Sequence, residues 1–322
     1  MSNIDVFNGD ADGICALLQL QLHTPRSSHL VTGIKRDINL LDKVQATTGD
    51  RVTALDISLD KNREGLLRLL DAGAEVFYAD HHFAGEIPDH ENLTALINTE
   101  TNICTSLIID EYLEGQYREW AITGAFGDNL FQSAENAALS LNLSKEQMDD
   151  LKKLGTYINY NGYGQSIEDL HFKPDDLFRS LQAYTSPFDF IVDKSSAFCQ
   201  LENGFLEDIE KARSTIPEYQ TDEVAVYILD DEMWARRVTG VYGNELANRT
   251  PSRAHAVLTY NKRGGYQISV RAPLQNKAGA DELCRQFPEG GGRKAAAGIN
   301  HLEMEALPLF IEKFSKQYEK NI

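Results

Sequence analysis

Three things are scarce in this sequence. Cysteine occurs only at Cys15, Cys104, Cys199 and Cys284, each far from the next and never as CxxC. That spacing speaks against a zinc knuckle and a disulfide framework, and it fits a reducing cytoplasm. Positive charge is also short, with 31 Lys and Arg against 49 Asp and Glu and a formal net charge of −18. A protein that tracks long nucleic acid must neutralise many phosphates with basic side chains, so no long nucleic-acid track is expected. Long apolar runs are missing too: none reaches the ~20 residues that span a bilayer. The N-terminus lacks a basic stretch followed by an apolar one. A cytoplasmic chain without membrane association is the expectation.

The 322 residues, 42% of them hydrophobic, carry enough apolar material for two cores of ordinary domain size. Between residues 3 and 85, short apolar runs alternate with helical patterns: "IDVFN" before "GICALLQLQL", "HLVTGI" before "NLLDKV", "VTALDI" before "REGLLRLLDAG", then "AEVFYADHH". Alternating strands and helices imply crossover units and a mostly parallel sheet. From residue 101 to about 184 the pattern is mainly helical. Pro187 marks a break, and "EVAVYILDD", "RAHAVLTYNKRGGYQISVRAP" and "EALPLFIEKFSKQYEKN" suggest a smaller mixed unit. The expected fold is α/β in two domains. A catalytic domain with a mostly parallel, helix-flanked sheet covers 1–185, a connecting segment 186–215, and a mixed α/β substrate-binding domain 216–322.

In open parallel sheets, ligands bind beyond the carboxyl ends of the strands. Asp10 and Asp12, then Asp56, then Asp80, His81 and His82 each fall where a strand gives way to a loop. Taken singly they read as turns or helix caps, where Asp is favoured for local hydrogen bonding. Together they bring carboxylates and imidazoles to one edge, a donor set suited to Mn²⁺ or Mg²⁺. Alternating directions along an extended stretch would let Asp10 and Asp12 serve two ions, with Gly9 and Gly13 permitting the sharp path. Lys35 and Arg36 follow the second strand of a mostly parallel sheet, which allows a place on the active edge, with a solvated loop as the favoured reading. Tyr157, Tyr160 and Tyr163, at near-helical spacing, read as packing.

With these residues in place, the sequence resembles the DHH phosphoesterase superfamily, in its nano-RNase and RecJ-like branch. "FNGDADG" is similar to the first motif, "ALDIS" to the second, "ADHH" to the third and "GAFGDN" to the fourth. In the C-terminal part, "GGGRKAAAG" and "YQISVRAP" are similar to the glycine-rich signature and arginine-bearing strand of the associated substrate domain. The resemblance implies two Mn²⁺ ions, with Mg²⁺ as a substitute. Asp10 and Asp56 would hold one, Asp12, Asp56, His81 and Asp128 the other, with Asp56 bridging. His82 would face the scissile phosphate and Asp80 would orient the histidines. Two departures stand out at the first ion: Val6 occupies a position where many members have histidine, and Asn8 one where the RecJ branch has aspartate.

Gly290, Gly291 and Gly292 can let the backbone approach an anion, and Arg271 and Arg293 can add bidentate phosphate contacts. As a surface turn, the same glycines would have no such role. Arg293 stands where nano-RNase-like members have histidine, and a permanently charged fork favours a terminal phosphate. The resemblance gives this domain the part of the substrate away from the metals, and implies a homodimer. The reading is a metal-dependent phosphodiesterase or phosphatase that cleaves short oligonucleotides, linear dinucleotides or phosphorylated nucleotides by two-metal activation of water. An inorganic pyrophosphatase or polyphosphatase and a nucleotide-binding sensor with weakened turnover remain as alternatives.

Overall fold

The computed structural model describes residues 2–319. The chain divides into two compact units, Met1–Asn203 and Gly204–Ile322.

The first unit runs β1 (Asn3–Phe7), α1 (Ala11–His23), β2 (His29–Val31), β3 (Arg51–Leu55), α2 (Arg63–Asp71), β4 (Glu75–Asp80) and β5 (Leu93–Ile97), with β1 to β4, α1 and α2 where the apolar pattern predicts them. All four strand pairings are parallel, in the order β2-β1-β3-β4-β5. The chain therefore leaves β1 between its two neighbours, which makes the β1/β3 edge the point where strand order reverses, the usual ligand crevice of such sheets. "NLLDKV" forms only a 3₁₀ turn, Leu40–Lys43, rather than the expected helix. Asp5, inside β1, is buried and accepts hydrogen bonds from Arg26 at 2.7 Å and Ser28 at 2.6 Å. It ties β1 to the segment leading into β2.

A helical layer follows: α3 (Thr105–Tyr112), α4 (Arg118–Gly127), α5 (Phe131–Ala138), α6 (Lys145–Asn161), α7 (Pro174–Leu181), α8 (Pro187–Val192) and α9 (Phe198–Arg213), the last containing the unit division. The expected connecting segment, 186–215, thus holds α8 and α9. Helix α1 is apolar on nearly every side, with Ile14, Cys15, Leu17 and Leu18 fully buried, and it packs on α3 and α4. A helix hydrophobic all round belongs in a core, so its first turn is held rigidly. Helix α6 starts at a capping box in which Ser144 and Gln147 satisfy each other's backbone N–H groups.

Gly9 and Gly13 serve close approach rather than an unusual backbone angle. A Cβ on Gly9 would stand 2.0 Å from the Gly33 carbonyl oxygen, and one on Gly13 2.3 Å from that of Asn8. Both distances forbid a side chain, and neither residue has positive φ.

The second unit is built on a six-stranded mixed sheet, order β10-β11-β9-β8-β7-β6. Its elements are β6 (Tyr219–Gln220), β7 (Val224–Ile228), α10 (Met233–Arg249), β8 (Ala254–Tyr260), β9 (Gly265–Arg271), α11 (Ala280–Cys284), β10 (Gly290–Gly292), β11 (Ala296–Glu303) and α12 (Leu307–Tyr318). Only β7 and β8 pair in parallel, joined through α10, and the other pairings are antiparallel. Val226, Ile268, Ile299, Phe310 and Phe314 are fully buried in its core. No helix among the described residues is long and apolar enough to cross a membrane.

Candidate active site

The first motif folds as a helix start. Asp10 is the N-cap of α1, its Oδ1 accepting from the Gly13 N–H at 3.1 Å. Asp12 lies inside the first helical turn, fully buried. The two carboxylates therefore diverge because one precedes the helix and the other is part of it, not through the alternation of an extended strand. Asp12 turns to the start of α3, where its oxygens accept from the backbone N–H groups of Thr105 at 2.8 Å and Ser106 at 2.7 Å. These N–H groups are among those a helix start leaves without an internal partner.

Asp56 follows β3 at φ 56°, a left-handed conformation that is uncommon for a residue with a side chain and tolerated best by Asp and Asn. Its N–H donates to the Ala79 carbonyl at 3.1 Å, locking the turn to β4, and Thr105 Oγ1 donates to its Oδ1 at 3.3 Å. Burial, and then the carboxylates of Asp10, Asp12, Asp128 and Asp80, push the Asp56 carboxyl well above its ordinary value.

His81 and His82 leave β4 with different partners. His81 Nδ1 faces the Ile103 carbonyl oxygen at 2.9 Å. A carbonyl only accepts, so Nδ1 carries a proton and Nε2 is the ring nitrogen left to face the carboxylates. That Nε2 lies 3.5 Å from Asp56 Oδ1, 3.6 Å from Asp128 Oδ2 and 3.9 Å from Asp12 Oδ2. His82 Nδ1 instead meets Asp80 Oδ1 at 2.6 Å, and lies 3.8 Å from Asp56 Oδ1. Asp80 therefore orients His82, while a main-chain carbonyl orients His81. The expectation that Asp80 orients both rings is corrected to this extent.

Asp128 is the C-cap of α4, its N–H donating to the Gly124 carbonyl at 3.0 Å. Its two oxygens face different neighbours, Oδ2 toward His81 and Oδ1 toward Lys35 Nζ at 3.2 Å. Lys35 is the residue that sequence reasoning underrated. It is no solvated loop residue: Nζ donates to Asp10 Oδ2, to Asp128 Oδ1 and to Asn159 Oδ1 at 3.0 Å, and lies 5.6 Å from the centre of the Tyr163 ring. Its backbone N–H donates to the Gly162 carbonyl at 2.8 Å, and its own carbonyl accepts from Asn8 Nδ2 at 3.2 Å. Burial opposes the charge, but Asp10, Tyr163 and Asp128 outweigh it and hold the Lys35 ammonium well above its ordinary range. Tyr157 and Tyr160 pack as expected, both buried.

The donor set, carboxylates with imidazole, suits a divalent ion of the Mn²⁺ or Mg²⁺ type. Oxygen and nitrogen ligands sit about 2.0–2.2 Å from such ions, so neighbouring ligand atoms on one ion stand about 3 Å or slightly more apart. Asp12, His81 and Asp128 bring one ligand atom each within 4.8 Å of one another, a little wider than that spacing, and Asp56, His81 and His82 form a second such group that shares His81. Asp10 stands beside Asp56 as well, with one oxygen capping α1 and the other on Lys35 Nζ.

In the second unit, Gly290–Gly292 form the edge strand β10. Gly292 has φ 138°, and a Cβ there would stand 2.5 Å from Ala297 Cα, so glycine is required. The triplet makes a hairpin rather than a free loop. Arg271 pairs in register with Ala296, at the end of the sheet where the exposed Arg293 caps the turn. Four of the guanidinium hydrogen bonds of Arg271 go to Asn244, Ser269, Val270 and Gly240. Of the five donors an arginine has, that leaves one for a phosphate, so Arg271 ties β9 to α10 and cannot act as the bidentate fork expected of it.

No protein-family profile matches the chain, and no curated protein matches it either. Solved structures do. RecJ from Thermus thermophilus, in complex with Mn²⁺, aligns with a TM-score of 0.58 at 18% identity, covering 99% of this chain and 52% of RecJ. The chain thus spans about half the length of that protein. The pGpG-specific phosphodiesterase PggH from Vibrio cholerae aligns with a TM-score of 0.58 at 15% identity over 100% of both chains. The chain shares the fold of these structures. A further exonuclease RecJ, bound to manganese, shares it with a TM-score of 0.52 at 16% identity over 99% of this chain and 91% of that one. The parallel sheet, its helical layer and the mixed second sheet are the architecture that the DHH resemblance implied.

Proposed function

We propose that this DHH-fold chain is a divalent-metal-dependent phosphodiesterase of short nucleotides, with linear dinucleotides as the preferred class. The observation that carries the proposal is His81 Nε2 facing Asp56, Asp128 and Asp12 at 3.5–3.9 Å, at the sheet edge where strand order reverses. An ion of the Mn²⁺ or Mg²⁺ type bound there would polarise a phosphoryl oxygen and acidify a water molecule. Asp12, Asp56, His81 and Asp128 are its proposed ligands. His82 turns Nε2 to the phosphoryl or leaving oxygen, while Asp80 accepts its Nδ1–H and fixes the ring plane.

Support for a short substrate comes from charge. With a formal charge of −18, the chain has no general attraction for a polyanion, and only local cations can offset the phosphates. Arg293, exposed at its turn, is the proposed phosphate contact of the second unit. PggH, which acts on pGpG and aligns end to end with this chain, supports a dinucleotide over a polymer. The test is Mn²⁺-dependent turnover of a 5′-phosphorylated dinucleotide, 3′-phosphoadenosine 5′-phosphate, a dodecanucleotide and pyrophosphate. The dinucleotide should give the highest kcat/KM. A preference for the dodecamer or for pyrophosphate would reject the short-nucleotide reading.

Asp80→Asn probes the second part of the proposal. Losing the anionic acceptor should lower kcat by about 10- to 100-fold, the usual scale for an outer partner of a functional histidine. Mn²⁺ affinity should hold, because His81 takes its orientation from Ile103 rather than Asp80. Parallel kinetics and Mn²⁺ titration separate the two effects.

A further inference from the structure

We infer that the centre is built for a single divalent ion, with the Lys35 ammonium occupying the place of the second cation. The inference rests on the proposed function, since it concerns the same site, but its test does not depend on turnover.

The expected first ion would take Asp10 and Asp56. Asp10 has one oxygen engaged in capping α1 and the other on Lys35 Nζ. An ammonium has three N–H donors in a tripod, and here three oxygens receive them: Asp10 Oδ2, Asp128 Oδ1 and Asn159 Oδ1. The acceptors come from the start of α1, the end of α4 and the last turn of α6, so three separately anchored elements converge on one nitrogen. The lysine backbone is fixed on both sides, through Gly162 and Asn8. This is a seated residue rather than a chance contact of a mobile side chain. A dication bound to Asp10 Oδ2 would have to displace the ammonium from all three oxygens, and would then repel it at short range.

The residues around the tripod agree with a fixed monovalent cation. Asn8 spends its amide N–H on the Lys35 carbonyl, and its Oδ1 is buried with no hydrogen-bond partner. Val6 is fully buried in the apolar core. Neither supplies the imidazole or carboxylate that a second divalent ion would draw on. Asp128 connects the two cation positions, one oxygen on Lys35 and the other facing His81. Lys35 thereby holds Asp128 as a ligand for the single ion and contributes positive charge that a chelator cannot remove.

The test is Mn²⁺ stoichiometry after desalting, measured by elemental analysis, with electron paramagnetic resonance to show whether bound ions interact. Wild type should bind one Mn²⁺ per chain with the spectrum of an isolated ion. Lys35→Met should bind a second, giving an exchange-coupled pair, and Lys35→Arg should still bind one. Two coupled ions in the wild type would overturn the inference, as would a Lys35→Met protein that folds and still binds one. If Lys35→Met does not fold, the wild-type stoichiometry and spectrum decide alone. One Mn²⁺ bound without turnover of any substrate would reject the proposed function and leave this inference standing.

Discussion

Asp56→Asn is expected to abolish Mn²⁺-dependent hydrolysis and, at the same time, to raise the melting temperature of the metal-free protein. Loss of activity follows from position: Asp56 Oδ1 lies 3.5 Å from His81 Nε2 and 3.8 Å from His82 Nδ1, between the proposed metal ligand and the histidine proposed to face the phosphoryl or leaving oxygen. Activity should fall by more than the ~10²-fold that attends the loss of an outer partner. The gain in stability follows from charge. Asp56 is buried among Asp10, Asp12, Asp128 and Asp80, and its carboxyl is pushed well above its ordinary value by burial and by those neighbours. A carboxyl whose folded-state pKa is raised stabilises the fold fully below its unfolded value, near 3.8. That contribution disappears as pH rises through the folded value, because the unfolded chain then loses its proton more readily. Metal-free wild type should therefore lose stability from acid toward neutral pH, and the Asn variant should lose less.

At neutral pH the variant should melt about 2–4 °C higher, the shift that ~1 kcal/mol produces in a domain of this size. Mn²⁺ should reverse the order. Binding to the folded state alone stabilises it in proportion to the logarithm of ligand concentration once the site is filled, and the wild type gains that term while the variant gains little. Calorimetry of both proteins, with and without Mn²⁺, reads all four values. A variant less stable than the metal-free wild type would show that Asp56 is held for the fold rather than for the ion.

Much of this was legible from residue pattern, and what was not has a physical cause. Strands β1, β3 and β4 are nearly continuous apolar runs because a parallel sheet covered on both faces buries them. Their carboxyl ends therefore announced Asp10, Asp56 and the Asp80–His81–His82 group. The edge strand β5 has no fully buried residue, and its weak alternation left no signal. "NLLDKV" carries a helical pattern, yet only four of its residues turn, because tertiary packing outweighs a weak local preference. Asp128 was legible only through the resemblance, since a C-cap aspartate has no periodicity to mark it. For Lys35 a place on the active edge was legible, but its role was not. Its role depends on Asn159, 124 residues later, arriving at the same point through α6, and neither residue is unusual in its own stretch. Arg271 failed in the opposite sense: a basic residue at a strand end resembles an anion contact until Asn244 and Gly240 of α10 consume its donors.

Asp12 offers the sharpest contrast with Asp56, because the two carboxylates face the same His81 nitrogen while standing in opposite relations to stability. Both oxygens of Asp12 receive backbone N–H groups at the start of α3, from Thr105 and Ser106. Asp12→Ala would leave two fully buried donors unmet, and hydrogen bonds to a buried charged acceptor are worth roughly 1.5–3 kcal/mol each. Even with partial relaxation the loss should be about 3 kcal/mol, lowering the melting temperature by roughly 6–12 °C. Activity should disappear as well, since Asp12 Oδ2 lies 3.9 Å from His81 Nε2. Asp12→Asn separates the two roles: its carbonyl oxygen still accepts one N–H, so it should recover about half of the lost stability while Mn²⁺ binding stays weak. Thermal unfolding and Mn²⁺ titration of Ala and Asn variants beside Asp56→Asn would test this ordering. Equal melting temperatures for Asp12→Ala and the wild type would mean that the start of α3 does not depend on the Asp12 carboxylate.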